Sequence, residues 1–286
     1  MANVPPYGFG ISEFTTWPWS FEDDVERYAR LGADAIEVCE FKLDQARIPE
    51  QLALIGERGL SISSVQPVVR TLFPSQSQSE PADVRVRMDR FCRTIDSFGS
   101  HAAGVPFVTN SGIAPDGNIQ CVLDMAVPQY RRVADYAAER GAQVALEPLN
   151  AAIMNVESVI WTLEQAVRLV EVVDRPNFGI CLDTWNVWQN AGVVDAILAS
   201  GERIYCVQVS DWRTPRSFQD RLVPGDGEIP LPALLRAIHD SGYRGPYVVE
   251  IFSGGVPDSL WEGDLEEVVR RSRAGLDAAW AAAFAA

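Results

Sequence analysis

The sequence predicts a single (β/α)8 TIM barrel occupying residues 1–286. Three observations predict it. Short β-branched runs alternate with longer segments of helical period, and the alternation repeats eight times. Strict alternation of this kind builds a parallel sheet, and eight strands is the number that closes one into a barrel. Glycine follows four of the helical segments, in Leu31-Gly32-Ala33, Arg58-Gly59-Leu60, Arg140-Gly141-Ala142 and Ser241-Gly242-Tyr243. There it takes the left-handed conformation that ends a helix without a Cβ clash. No linker, low-complexity tract or shift in composition divides the chain.

Taken in order, the first unit pairs a strand at 7–12 with a helix at 21–31, and the second pairs 35–39 with 48–58. The third and fourth pair 61–66 with 84–98 and 104–108 with 125–140. The fifth and sixth pair 143–147 with 156–172 and 178–182 with 194–199. The last two pair 204–209 with 231–240 and 247–251 with 264–283. Two long loops leave the carboxyl ends of strands. Residues 70–83 follow the third strand and are rich in Ser, Gln and Pro; residues 210–229 follow the seventh and carry Arg, Asp, Pro and Gly. Barrel enzymes build their active sites on this face.

The formal net charge of −15 repels a phosphate backbone at long range and argues against nucleic acid as a partner. No apolar run reaches the length needed to span a bilayer, so no membrane partner is expected. The first ten residues carry neither a basic nor an apolar signal segment. The cysteines, Cys39, Cys92, Cys121, Cys181 and Cys206, are odd in number and form no CxxC. That pattern suits reduced thiols, and a cytoplasmic location is expected.

The chemistry gathers at the carboxyl ends of the last four strands. Glu147 ends VALE, Asp183 ends ICLD, Gln208 lies in CVQV and Glu250 ends YVVE. One carboxylate in such a place can simply cap the next helix. Three with an amide around one barrel mouth repel one another unless a cation neutralises them. Their hard oxygens suit one divalent ion, Mn2+ or Mg2+, with Zn2+ or Co2+ as alternatives.

The runs LEPLN, LDTWN, VQVSDW, RLVPGDGEIPL and YVVEIFS resemble those of the xylose-isomerase-like TIM barrels, the sugar phosphate isomerase/epimerase family. AIEVCEF and ISSVQP extend the resemblance more loosely into the first half. It implies that Glu147, Asp183, Gln208 and Glu250 hold one metal, and that Glu147 and Glu250 exchange the substrate proton. Arg221 matches a position often assigned to substrate contact, and Gln66, Asn150, Trp185, Asn186 and Asp211 complete the expected substrate contacts. Relatives of this kind are often homo-oligomers.

The sequence departs from the family pattern twice, because many members carry His where Gln208 and Asn186 stand. Gln208 can still ligate through its carbonyl oxygen. Asn186 cannot exchange protons as imidazole does, so a mechanism that needs that His does not transfer. The two histidines, His101 and His239, lie away from strand ends and are read as structural. Trp17, Trp19, Trp185, Trp188, Trp212 and Phe252 sit on or beside predicted strand ends and loops, where aromatic faces can stack on sugar rings.

The expected function is a divalent-metal-dependent isomerase or epimerase of a ketose, inosose or related keto-sugar, acting through an enediolate. The alternative is a lyase that eliminates a β-substituent from a keto-sugar, 3-keto-glycoside or dehydroshikimate-like substrate. A non-catalytic sugar-binding homologue is the second alternative. In each case the partner is a small polyhydroxylated molecule.

Overall fold

A computed structural model describes residues 7–113, 116–154, 156–214, 217 and 219–285. Eight parallel strands pair in sequence order and close on themselves, β8 returning to β1. They are β1 (Phe9–Ser12), β2 (Ala35–Cys39), β3 (Ser61–Gln66), β4 (Pro106–Thr109), β5 (Gln143–Leu146), β6 (Phe178–Asp183), β7 (Ile204–Val209) and β8 (Tyr247–Val249). The helices are α1 (Phe21–Arg30), α2 (Ile48–Glu57), α3 (Val84–Phe98), α4 (Ile119–Ala138), α5 (Leu163–Val173), α6 (Thr184–Val187), α7 (Val193–Ser200), α8 (Leu231–Asp240) and α9 (Leu265–Ala283).

Local chemistry sets most of the boundaries. The side chains of Ser20, Asp83 and Asp264 accept backbone N–H bonds at the starts of α1, α3 and α9. Gly32 follows α1 at φ +79° and Gly141 follows α4 at φ +67°, so both take the left-handed backbone that their positions predict.

Two helices differ from expectation. The fourth begins at Ile119, six residues before the predicted start, because Asn118 caps it through Cys121 N–H and Pro128 is carried inside it. The fifth begins at Leu163, seven residues after the predicted start, where Thr162 and Gln165 form a reciprocal capping box. A short helix, α6, also follows β6 directly.

The principal core lies between barrel and helices, where Phe9, Tyr28, Phe91, Phe107, Tyr130 and Phe178 are fully buried. Inside the barrel a small layer of Val108, Ala145, Cys181 and Cys206 packs together. Toward the carboxyl ends of the strands the interior turns polar, with Glu37, Ser64, Gln208 and Glu250 all buried. This change from small apolar to polar filling turns one end of the barrel into a site. Of the free cysteines, Cys121 is exposed and the others are buried. No helix among the described residues is long and apolar enough to cross a membrane.

Candidate metal centre and active site

β5 ends at Leu146 and releases Glu147 into the barrel mouth, with its backbone N–H donating to Thr109 O at 2.9 Å. Two amides grip its carboxylate: Asn186 Nδ2 donates to Oε1 at 2.8 Å and Asn110 Nδ2 to Oε2 at 3.1 Å. Asp183, the last residue of β6, caps α6 by accepting Trp185 N–H on Oδ1 at 2.9 Å. Its Oδ2 accepts Asn186 Nδ2 at 2.9 Å and Arg221 Nη1 at 2.9 Å. The same Arg221 nitrogen lies 2.9 Å from Glu250 Oε2, so one guanidinium ties the ends of β6 and β8 together. One oxygen from each of Glu147, Asp183 and Glu250 falls within 4.8 Å of the others, and all three residues are buried.

Gln208 is placed with them but turned in a particular way. Its Nε2 donates to Glu250 Oε1 at 2.8 Å and lies 3.0 Å from both oxygens of Glu37. Its carbonyl oxygen accepts from Cys181 Sγ at 3.2 Å. Three surrounding carboxylate oxygens demand the donor end of the amide. For Gln208 to ligate through oxygen, as the sequence suggests, the amide must turn over.

Burial and crowding raise the proton affinity of the cluster. Burial first, then the Asp183 charge, push the Glu147 carboxyl up to about 7. Burial raises Asp183 against the opposing pull of Arg221. Glu250 lies well above the ordinary carboxylate range, again through burial, with Glu37, Asp183 and Glu147 adding to it. Burial alone would lower Arg221, but the surrounding carboxylates hold it above its usual value.

These residues fit a hard divalent cation. They are oxygen donors of high negative charge density, converging within ligand distance at a buried point. Arg221 and Asn186 show that the cluster already draws positive charge and N–H groups onto the same oxygens.

A cavity of about 420 Å3 opens above the cluster. Its walls include Glu147, Glu250, Gln66, Trp185 and Arg221, so these expected residues are brought together. The Arg221 guanidinium lies between two rings, 4.6 Å from the centroid of Trp185 and 4.9 Å from that of Phe252. Trp185 Nε1 and Arg221 Nε are buried with no hydrogen-bond partner, leaving two donors for an occupant.

Three expected substrate contacts go elsewhere. Asn150 accepts Ala152 N–H at 2.8 Å and donates to Trp185 O at 3.1 Å, fixing the loop after β5 against α6. Asn186 accepts Asn150 N–H and otherwise faces Glu147 and Asp183, so it positions carboxylates and does not line the cavity. Asp211 gives both oxygens to the backbone N–H groups of Gly225, Ile229 and Trp212, which folds the loop after β7. Residues 215, 216 and 218 of that loop lie outside the described ones.

Sequence reasoning missed Asn110 and Glu37. Asn110 stands just past β4, where the rule applied to the last four strands would have found it. Glu37 is an acid in the middle of the apolar strand AIEVC, a signal in itself. The two histidines stay away from the mouth: His239 makes edge contacts to Trp280 and Phe284, and His101 is exposed.

A family model described as xylose isomerase-like TIM barrel matches residues 25–278. The chain belongs to the xylose isomerase-like TIM barrel family. Similar curated members of this family are enzymes. A 3-dehydroshikimate dehydratase of Pseudomonas putida is 27% identical over 82% of the chain and 36% of the dehydratase. An L-ribulose 3-epimerase of a Methylomonas species is 30% identical over 46% of the chain and 43% of the epimerase. The chain therefore spans well under two thirds of either relative. Among solved structures, the IolI protein with a bound zinc atom superposes with a TM-score of 0.82 at 19% identity. That match covers 98% of this chain and all of the other, and it shows a shared fold.

Proposed function

We propose that the chain is a metal-dependent isomerase or epimerase acting on a ketose, inosose or related keto-sugar. One observation carries this reading: Glu147 and Glu250 face the same cavity, and both hold protons above the ordinary carboxylate range. Glu147, Asp183 and Glu250 would hold the ion, with Gln208 as a fourth ligand once its amide has turned over; the oxygen donors favour Mn2+ or Mg2+. When bound, the ion would polarise the substrate carbonyl and stabilise negative charge developing on its oxygen.

The chain's own residues supply the rest. Glu147, facing the cavity, takes the proton from the carbon beside the carbonyl. Glu250, which faces the same cavity, returns one to the opposite face or to the neighbouring carbon. Arg221 holds Glu250 in place and offers its free Nε to a substrate oxygen. Asn110 and Asn186 fix the Glu147 carboxylate between them.

Elimination of a β-substituent is the second reading. It is supported by the dehydratase alignment over 82% of the chain, a share that an inosose isomerase of Bacillus velezensis also reaches. Deuterium oxide separates the readings. The metal-loaded protein is incubated with ketohexoses, inososes, 3-keto-glycosides and dehydroshikimate and followed by NMR. Deuterium entering at the carbon beside the carbonyl, with isomer formed, supports the first reading; an unsaturated product supports the second. Stoichiometric metal with no exchange in any substrate leaves a sugar-binding homologue.

A further inference from the structure

The loop after β3 brings Arg70, Gln76 and Ser77 to the lining of the cavity, and its charge is unbalanced. Arg70 lines the cavity and is half-buried. Its backbone is clamped: the N–H donates to Gln78 Oε1 at 3.0 Å, and the carbonyl accepts Thr109 Oγ1 at 2.7 Å and Asn110 N–H at 3.1 Å. Its guanidinium forms no ion pair or hydrogen bond with any described residue.

Behind it lies Arg87, fully buried, whose hydrogen bonds all go to neutral oxygens. Its Nε donates to Thr71 O at 2.7 Å, its Nη1 to Pro81 O at 2.8 Å, and its Nη2 to the Thr71 hydroxyl. No carboxylate forms an ion pair with either arginine among the described residues. Arg87 meets its burial with neutral acceptors, whereas the half-buried Arg70 guanidinium has no protein acceptor among the described residues and faces the cavity.

The other cationic lining residue, Arg221, already faces Asp183 and Glu250. Arg70 is therefore the one cation lining the cavity, among the described residues, with its charge unanswered. Glu157 also lines the cavity, but its oxygens accept from Ser77 N–H at 2.9 Å and Ser77 Oγ at 2.7 Å.

We propose that Arg70 seats a carboxylate carried by the substrate, so that the site takes a small polyhydroxylated keto acid. The inference rests on the functional reading above and narrows it. A planar guanidinium pairs with a carboxylate through two parallel N–H···O bonds. Arg70 and Glu147 line the same cavity and are joined through Asn110, whose N–H donates to Arg70 O and whose Nδ2 donates to Glu147 Oε2, each at 3.1 Å, so an acid group seated there lies within a small molecule's length of the reacting carboxylates. A phosphate dianion is the poorer fit, since the cavity has no second free cation among the described residues and is already lined by Glu147, Glu157 and Glu250.

Calorimetry on the metal-loaded chain tests this with quinate, a cyclohexane polyol bearing a carboxylate, and myo-inositol, a ring of the same size without one. Wild type should bind quinate at least about tenfold more tightly than inositol, a difference of about 1.4 kcal/mol. Arg70→Met should abolish that advantage and leave inositol unchanged, while Arg70→Lys keeps part of it. Should Arg70→Met fail to fold, Arg70→Lys and the salt dependence of quinate binding to wild type decide. Equal affinities, no quinate binding, or Arg70-dependent binding of glucose 6-phosphate in place of quinate would each overturn the proposal. Metal stoichiometry and deuterium exchange are read on the same samples. Exchange without Arg70-dependent quinate binding sinks this inference alone, whereas loss of both metal and exchange sinks the functional reading beneath it.

Discussion

The barrel mouth holds two buried charged clusters, and only one is built as a site. Around β1 and β2, Lys42 Nζ pairs with Asp24 Oδ2 at 2.6 Å and donates to Thr16 O at 3.0 Å. Thr16 Oγ1 donates to Asp24 Oδ1 at 2.5 Å, Tyr28 bonds the same hydroxyl, and Glu13 accepts Cys39 N–H at 2.7 Å. Burial raises Asp24 to about 6 against the pull of Lys42, and none of these residues lines the cavity above Glu147. Around β5 to β8, three carboxylates converge, two of them on one guanidinium, beside a cavity with donors left free in its wall. Both clusters contain shifted carboxylates, so a shift alone identifies nothing. Excess charge combined with access separates a site from a strut.

The sharpest test of this contrast is kinetic. Glu147→Gln and Glu250→Gln each remove a proton carrier and should slow solvent exchange into substrate by about a hundred- to ten-thousandfold. Asp24→Asn should leave the exchange rate of the folded protein unchanged. An equal loss in all three variants would merge the clusters into one functional unit.

The next test reverses the roles. Lys42→Met leaves Asp24 buried without its cation and should cost about 3–5 kcal/mol of stability in denaturant titrations. Metal stoichiometry should not move. If the ion is lost with Lys42 while the fold persists, the first cluster reaches into the second.

Acidity provides a third, smaller measure. Glu147 ionises near 4.5 when unfolded and at about 7 when folded, so the native state holds its proton longer. Its contribution to stability is full below about 4.5 and is lost as pH rises through about 7, a loss on the order of 3 kcal/mol. Chelated protein should therefore melt at lower temperature at pH 8 than at pH 5, with Glu147→Gln flattening the slope. A bound divalent ion should reverse it, because the ion favours the ionised carboxylates. A flat profile in chelated wild type would mean that Glu147 is not desolvated.

The sequence carried the architecture because the barrel is specified locally. Alternating strand and helix segments and left-handed glycines such as Gly32 and Gly141 are short-range signals, and the strand order follows from them. Helix starts were less legible where a cap sits ahead of an unexpected residue, as Asn118 does before a helix containing Pro128. At the site, strand-end position identified Glu147, Asp183 and Glu250 but could not tell which polar neighbours face inward. Asp211 and Asn150 occupy similar positions in sequence, yet their short side chains bond the backbone of their own loops. Glu37 was hidden for the opposite reason. Its partners Ser64, Gln66 and Gln208 come from β3 and β7 and meet it only once the barrel closes.

Gln208 supplies the last test, because it is where the resemblance and the geometry pull apart. As a ligand its amide oxygen must face the carboxylate cluster, and the NH2 would then turn toward Cys181. Glu37 opposes that turn, since its oxygens, 3.0 Å from Nε2, would then meet an amide oxygen. As a bridge between Glu37 and Glu250, Gln208 would act on the ion only by orienting Glu250. Gln208→Ala should lower metal affinity about tenfold in either role, the usual cost of losing a supporting contact or a weak ligand. Glu37→Gln distinguishes the roles. It offers an amide that can donate to the turned-over oxygen, so metal affinity should rise if Gln208 ligates. If Gln208 only bridges, the same variant weakens its hold on Glu250 and affinity should fall.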